Sequence, residues 1–288
     1  MNPIKYITQN ERDRQWGLTV CSVGYQKIDP NEDYPPRIHK HEYLFTPKTG
    51  RVINEYQLLY IIEGKGRLKT ATAGSFNIKA GDIFLLFPGE WHTYQPDPET
   101  GWAEYWIGFS GVNVDSRITA GFFSKKSPIY NIGYNETVVK LYNEAIEVAQ
   151  KQEMHFQQLL AGIVNYMLGL VFTIDGNRKL KDSTYPQIIE KARKFMQENV
   201  ERKIDIPAVA EHLNISYTNF RHTFKRYTGI SPSQYYLSLK IQRAKDMLRS
   251  TDAPIKEISY LLDFETPEYF TKLFKNKTGM TPSQFREQ

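Results

Sequence analysis

Cysteine is almost missing from this chain of 288 residues. The lone Cys21 excludes a disulfide framework and any cysteine-rich zinc site, and it suits a reducing cytosol. An apolar leader is missing too: Met1 to Gly17 is polar and charged, which argues against a secretory signal peptide. Long hydrophobic runs are also lacking. The most apolar stretch, Leu159 to Ile174, is short for a membrane span and contains Gly162, Asn165 and Gly169, so a buried helix and no membrane partner are expected. An excess of one charge is absent from residues 1–182, where 20 Lys and Arg face 20 Asp and Glu. Residues 183–288 hold 17 against 12, so the whole surplus of +5 lies in the tail, as a nucleic-acid partner would favour. With 40% apolar and 24% charged residues the chain is no disordered polymer, and its length allows two domains with separate cores.

What the tail does have is a repeat. The run from Phe220 through Phe224, Gly229, Ser231, Pro232 and Gln234 to Tyr235 recurs as Phe270, Phe274, Gly279, Thr281, Pro282, Gln284 and Phe285, fifty positions later. Upstream, Val209, Leu213 and Ile215 pair with Ile258, Leu262 and Phe264 at an offset of forty-nine, so the second copy's turn has one extra residue. Asp205, Ser216 and Thr266 are placed to cap helices, Gly229 and Gly279 to stop them, and Ser231-Pro232 and Thr281-Pro282 to start new ones. A helix from Pro232 to about Arg249 would be roughly 27 Å long and join the copies as a rod. This reads as a duplicated helix-turn-helix, a DNA-reading unit. Phe220, Phe224, Phe270 and Phe274 are expected in its cores. Tyr217, Thr218, Asn219, Arg221, His222 and Lys225 are left on the first exposed face.

Upstream of the tail the pattern differs. From Val20 to about Ser110, short β-branched and aromatic runs alternate with Gly and Pro, predicting a small antiparallel barrel or sandwich. From Asn135 to Ile174 apolar residues recur at three and four, predicting two helices with a break near Gln150–Glu153. Asp175 to Thr184 reads as linker. The expected fold class is therefore α+β, with an antiparallel barrel and its helices over 1–174, a linker over 175–185, and an all-α domain of two helix-turn-helix units over 186–288.

The tail resembles the DNA-binding domain of the AraC/XylS family of bacterial transcription regulators. The likeness rests on Ile255-Lys256-Glu257-Ile258, on Tyr269 to Lys275, and on Gly279-Met280-Thr281-Pro282-Ser283-Gln284-Phe285-Arg286. A departure is Asp263, where the family usually has glycine; a left-handed residue is expected there, which Asp tolerates. The resemblance implies that Thr218, Asn219, Arg221 and His222 face base edges, with Arg221 suited to guanine and Asn219 to adenine. Glu268, Tyr269, Thr271 and Lys272 are the second helix's equivalents. Lys225, Arg226, Lys275 and Lys277 are expected on phosphates, which position without specifying.

The N-terminal half resembles the family's effector domain, a cupin-like barrel with dimerising helices. The residues that carry this are Tyr56 to Tyr60 with Glu63-Gly64-Lys65-Gly66, Gly81 to Phe84, Pro88-Gly89-Glu90-Trp91-His92 and Trp102 to Trp106. Trp91, Tyr94, Trp102, Tyr105 and Trp106 are divided between barrel core and pocket. A sugar pocket needs a flat aromatic face with charged or amide groups around the hydroxyls. Arg51, Tyr60, His92, Tyr94, Glu104 and Trp106 supply those types. In the arabinose-responsive branch a Trp and a Tyr at the positions of Trp106 and Tyr94 line the sugar site; Glu104 replaces a histidine found there, which argues against arabinose itself. His39 and His41 with His92 invite a metal reading, but the pair lies too early for a metallocupin, so neither metal nor cofactor is expected. Leu159, Ile163, Tyr166 and Leu170 form an apolar face suited to a C2 dimer.

These expectations add up to a cytoplasmic, non-enzymatic homodimer that binds double-stranded promoter DNA, takes a small effector, expected to be a sugar, and activates through RNA polymerase. The alternatives are a regulator with a non-sugar effector or none, its barrel serving dimerisation only, and a cupin metalloenzyme fused to a DNA-binding tail.

Overall fold

The computed structural model describes residues 3–36, 45–178 and 185–287, and the chain divides into two units, Met1–Lys179 and Leu180–Gln288. The first unit is built on an antiparallel sheet of β1 (Ile4–Tyr6), β2 (Thr19–Ile28), β3 (Tyr56–Thr70), β4 (Gly74–Lys79), β5 (Asp82–Leu86), β6 (His92–Pro96), β7 (Trp102–Ser110) and β8 (Ile129–Asn131). Short helices α1 (Glu11–Gln15) and α2 (Val112–Thr119) interrupt the strands; α3 (Glu136–Lys151) and α4 (Phe156–Arg178) follow them. The strand order is β1-β2-β7-β3-β5-β8, with β4 and β6 also paired to β3.

The long strand β3 organises this unit. Its first part pairs with β5 and β7, and residues 65–70 pair instead with β4 and β6. The change of partners falls at Gly64 and Gly66. A Cβ on Gly64 would lie 2.1 Å from the Gly101 carbonyl oxygen, and one on Gly66 would lie 2.3 Å from that of Gln95. Backbones touch at both places, so only glycine lets one strand serve both halves of the barrel.

Alternation along the strands sorts side chains into two cores. Leu58, Tyr60, Ile83, Leu85, Tyr105, Ile107 and Phe109 face outward onto Val138, Leu141, Tyr142, Leu160, Val164 and Met167 of α3 and α4. Leu59, Ile61, Phe84, Leu86, Tyr94, Trp102 and Trp106 face the barrel interior. Both faces are covered, which is why these strands read as continuous apolar runs. The break between the helices is where the spacing puts it, at Gln152 with φ +50°. α4 is locked to the sheet by Gln157, whose Oε1 accepts from Val20 N at 3.0 Å and whose Nε2 donates to Val20 O at 2.8 Å. That amide stands in for a strand partner beside the β2 bulge between Val20 and Ser22.

α4 runs four residues past Ile174, into the segment expected to be linker. Buried Asp175 holds it there by accepting from Asn131 N at 3.0 Å. By length and hydropathy α4 could cross a membrane. Leu160, Val164, Met167 and Val171, however, are fully buried against the barrel.

The second unit comprises α5 (Tyr185–Glu198), α6 (Ile206–His212), α7 (Tyr217–Thr228), α8 (Pro232–Ser250), α9 (Ile255–Leu261), α10 (Pro267–Thr278) and α11 (Pro282–Arg286). Ser216 and Thr266 cap α7 and α10 by accepting from Asn219 N and Tyr269 N. Gly229 and Gly279 stop them in the left-handed region, at φ +83° and +85°. Ser231 with Gln234 and Thr281 with Gln284 form capping boxes. Asp205 departs from expectation: it occupies the cap of α6 but its side chain makes no capping hydrogen bond. The N3 position that supplies the N–H in the other caps is Ala208, and Asp205 does not take it. Asn214 and Asp263 occupy matching left-handed turns, at φ +54° and +52°. Glu265 is thus the extra residue of the second copy.

The two copies have separate cores with the same aromatic geometry. In the first, Phe224 lies edge-on to Phe220 at 5.5 Å and to Tyr235 at 5.4 Å; in the second, Phe274 does so to Phe270 at 5.7 Å and to Phe285 at 5.5 Å. α8 contributes Tyr236 to the first core and Ile241, Ala244, Met247 and Leu248 to the second.

Candidate nucleic-acid interface and effector site

The helix caps and the buried phenylalanines fix which face of α7 meets solvent. Tyr217, Thr218, Asn219, Arg221, His222, Lys225 and Arg226 are all exposed. On α10 the same holds for Glu268, Tyr269, Lys272, Lys275 and Lys277, with Thr271 half-buried. Among the described residues none of these cations is in an ion pair, whereas Arg193, Lys194 and Arg243 of α5 and α8 are paired with Glu190, Glu198 and Glu201. Two recognition helices therefore present unneutralised charge, as binding to a phosphate backbone requires. Asn219 also donates through Nδ2 to the Tyr185 hydroxyl at 3.0 Å. Sequence reasoning missed that partner because it lies on another helix.

Inside the barrel, Arg51, Tyr94, Glu104 and Trp106 do converge, joined by Gln26, Tyr34 and Gln57. Arg51 is set by backbone hydrogen bonds to His92 and donates to the Tyr94 hydroxyl at 2.8 Å, Gln57 Oε1 at 3.3 Å and His92 Nε2 at 3.3 Å. His92 is buried, with Nδ1 3.1 Å from the Glu90 carbonyl, so the neutral ring donates there and accepts from Arg51. Burial, assisted by the Arg51 charge, pushes its pKa down to about 4. It braces Arg51 and does not line the cavity.

Glu104 is the anomaly of the interior. It is 1% exposed, and Oε1 accepts from Gln26 and from the Tyr34 hydroxyl. Its Oε2 makes no close hydrogen bond, and the Trp102 N–H beside it favours the charged carboxylate only weakly. Burial raises the carboxyl pKa to about 7, against the lowering influence of Gln26 and Arg51. Gln26 sits directly across from Glu104 in the β2–β7 register, and Gly24 sits across from Trp106. A Cβ on Gly24 would come 2.5 Å from the Trp106 ring, so that glycine makes room for the indole. The cavity between these groups has a free volume of about 20 Å³, room for a single water.

Tyr60 is a correction. It faces the helices, where its hydroxyl donates to the Gly133 carbonyl at 2.8 Å and accepts from Asn135 N at 2.9 Å. With Leu59 and Ile61 pointing inward, an even-numbered neighbour must point out. His39 and His41 lie outside the described residues. Among the described residues no cluster of three His, Cys, Asp or Glu could hold a metal.

On α4, Leu159 and Tyr166 are 52% and 56% exposed and Leu170 is half-buried. Ile163 is the second correction: it is 5% exposed and packs in its own unit's core.

Comparison with known proteins agrees with this division. Residues 34–169 match the AraC-like ligand binding domain and residues 209–288 a helix-turn-helix domain. The raffinose operon transcriptional regulatory protein RafR of Pediococcus pentosaceus is 27% identical over 249 residues, covering 84% of this chain and 88% of that protein. The Msm operon regulatory protein of Streptococcus mutans is 26% identical over 294 residues, covering 97% and 96%. The arabinose operon regulatory protein of Escherichia coli is 26% identical over 243 residues, covering 80% of each. With a ligand-binding barrel ahead of two helix-turn-helix units with unpaired basic faces, the chain belongs to the AraC/XylS family of DNA-binding transcription regulators.

Proposed function

We propose that this regulator is a cytoplasmic homodimer that responds to a small neutral sugar and activates genes of carbohydrate uptake or catabolism by engaging RNA polymerase. The observation that supports the sugar is the interior site: an indole wall beside a buried carboxylate, two amides, the phenols of Tyr34 and Tyr94 and a guanidinium. Relatives named for raffinose and arabinose operons agree with it. A sugar is larger than the present cavity, so entry displaces Arg51 or Tyr34, and its hydroxyls then take over the hydrogen bonds to Glu104. A long apolar effector would leave that carboxylate unpaired, which is costly.

Tryptophan fluorescence titrated with pentoses, hexoses and disaccharides tests this reading. A response that Trp106→Ala abolishes supports it. Silence toward every sugar, alongside a shift with fatty or aromatic acids, overturns it.

For the DNA side, Arg221→Ala is expected to relax base choice at one operator position and weaken binding by about 1–3 kcal/mol. Lys225→Ala should weaken all sequences alike and lower the salt slope by about one unit. An unchanged binding-site selection for the Arg221 variant would remove that residue from the base-reading set.

The dimer is placed on the outer side of α4. Gly162, Gly169 and Gly176 recur every seven residues there, and a Cβ on any of them meets nothing within 4 Å. With Leu159 and Tyr166 interleaved, this is the spacing of a helix–helix seam. Leu159→Asp or Tyr166→Asp is expected to give folded monomers by sedimentation, and a wild-type monomer with and without DNA would end the proposal. Ile163→Asp, by contrast, should unfold the barrel.

A further inference from the structure

α8 carries side chains of two separate cores, and the residue at the changeover is a lysine. Tyr236 belongs to the first core and Ile241 to the second. Between them Lys240 is 7% exposed, with its ammonium 5.0 Å from the centre of the Tyr236 ring and 5.5 Å from that of Phe264. It donates to the Asp263 carbonyl at 3.2 Å and stands 3.5 Å from the Asp263 carboxylate. Asp263 is the left-handed residue in the turn between α9 and α10, where a glycine would be under less strain. On the other side, the Tyr236 hydroxyl hydrogen-bonds to the Arg202 carbonyl in the connection between α5 and α6. A chain of contacts thus runs from the α5–α6 connection, through the Tyr236 hydroxyl and ring and the Lys240 ammonium, to the turn between α9 and α10.

Stability does not explain this link. A buried cation with one partially exposed carboxylate is a weak stabiliser, and a well-packed apolar pair in its place is often neutral or better. What the link does supply is direction. An apolar side chain would tolerate several packings between the two cores, whereas an ammonium held between two rings and a carbonyl tolerates one.

We infer that Lys240 is a positioning residue that fixes how the second helix-turn-helix unit is set against the first, and so determines which spacing between the two operator segments the chain accepts. The inference rests on α7 and α10 engaging one duplex. Base choice within each segment belongs to α7 and α10 and is independent of it.

The test uses the full-length chain and the duplex that it selects from a randomised pool, with one base pair added or removed between the segments. Wild type is expected to lose about tenfold or more in affinity at either altered spacing, the size of a lost base contact. Lys240→Met combined with Asp263→Gly removes cation and carboxylate together. It should select the same bases but bind the three spacings within about threefold of one another. Lys240→Arg, which keeps the charge, should restore the preference. Tyr236→Phe breaks the link at its other end without emptying the core, and should flatten the profile even if the double variant does not fold.

A wild-type profile retained in both the double variant and Tyr236→Phe overturns the role of Lys240. A wild type indifferent to spacing overturns it as well. Failure of wild type to select any duplex would instead overturn the shared premise of DNA reading.

Discussion

Phe224→Ala is expected to remove about 3–5 kcal/mol from the first helix-turn-helix unit and leave the second folded. Phe224 is fully buried between Phe220 and Tyr235, in a cluster with Ile189, Ala192, Met196, Ile206, Val209, Ala210 and Tyr236, against which Ile204, Leu213, Ile215 and Leu239 pack partly buried. A core that small refills the space left by a benzyl group only in part, so a cavity remains. The loss is comparable to the whole stability of a unit of this size. The second core shares none of those residues. Native-state hydrogen exchange should therefore show the amides of α5 to α7 exposed while those of α9 and α10 stay protected. Phe274→Ala should give the mirror result. Loss of protection in both units from either substitution would mean that the duplicated cores open as one.

Glu104→Gln is expected to stabilise the barrel above neutral pH by about 3 kcal/mol and to uncover a pH dependence that wild type conceals. The folded Glu104 carboxyl titrates at about 7, against an ordinary value of 4.5. Between those values the folded chain keeps a proton that the unfolded chain releases, so stability falls as pH rises through that window. His92 acts in the opposite sense. Its ring titrates at about 4 instead of 6.5, so the unfolded chain binds a proton that the folded chain refuses, and stability is lost as pH falls below 6.5. Each displacement of about 2.5 pH units corresponds to about 3 kcal/mol. The two nearly cancel between pH 4.5 and 6.5, where wild type should be almost flat.

In Glu104→Gln only the histidine slope remains, and stability should climb from pH 4 to 6.5. In His92→Gln only the carboxyl slope remains, and stability should decline from pH 4.5 to 7. Urea denaturation followed by tryptophan fluorescence reads the barrel alone, because Trp16, Trp91, Trp102 and Trp106 are all in the first unit. Parallel curves for wild type and both variants would show that neither group is titrating as its burial demands.

The tail was legible in the sequence because its signals are local. A cap such as Ser216, a stop such as Gly229 and an aromatic pair such as Phe220 and Phe224 each act within a few residues, and the second copy repeats them. Asp205 has the residue type and position of a cap but makes no capping hydrogen bond, although Ser231, Thr266 and Thr281 do so beside prolines of their own. The barrel site was legible in residue type but not in direction. Leu58, Leu59, Tyr60 and Ile61 are all apolar or aromatic and all buried, so alternation carried no sign of which face was interior. The pattern puts Tyr60 on the wrong face, and it points Ile163 outward on a helix apolar over a wide arc. The better signals were polar residues inside otherwise apolar strands. Gln26 and Gln57 are both 2% exposed, and both reach the cavity. Their positions depend on strand register across the sheet, which no single segment encodes.

The hydrogen bonds between Gln157 and Val20 bear on how the protein is made. The two residues are 137 positions apart, so at roughly 5–20 residues per second the ribosome adds Gln157 roughly 7–27 s after Val20. Throughout that interval β2 is outside or in the exit tunnel without the helix that finishes its cover, and its apolar side chains Val20 and Val23 are available to other nascent chains. Each helix-turn-helix unit, by contrast, closes within about fifty residues of its own start. Residues 1–179 are therefore expected to be the part more exposed to misassociation during translation, and their folding yield is expected to rise when elongation is faster between β2 and α4.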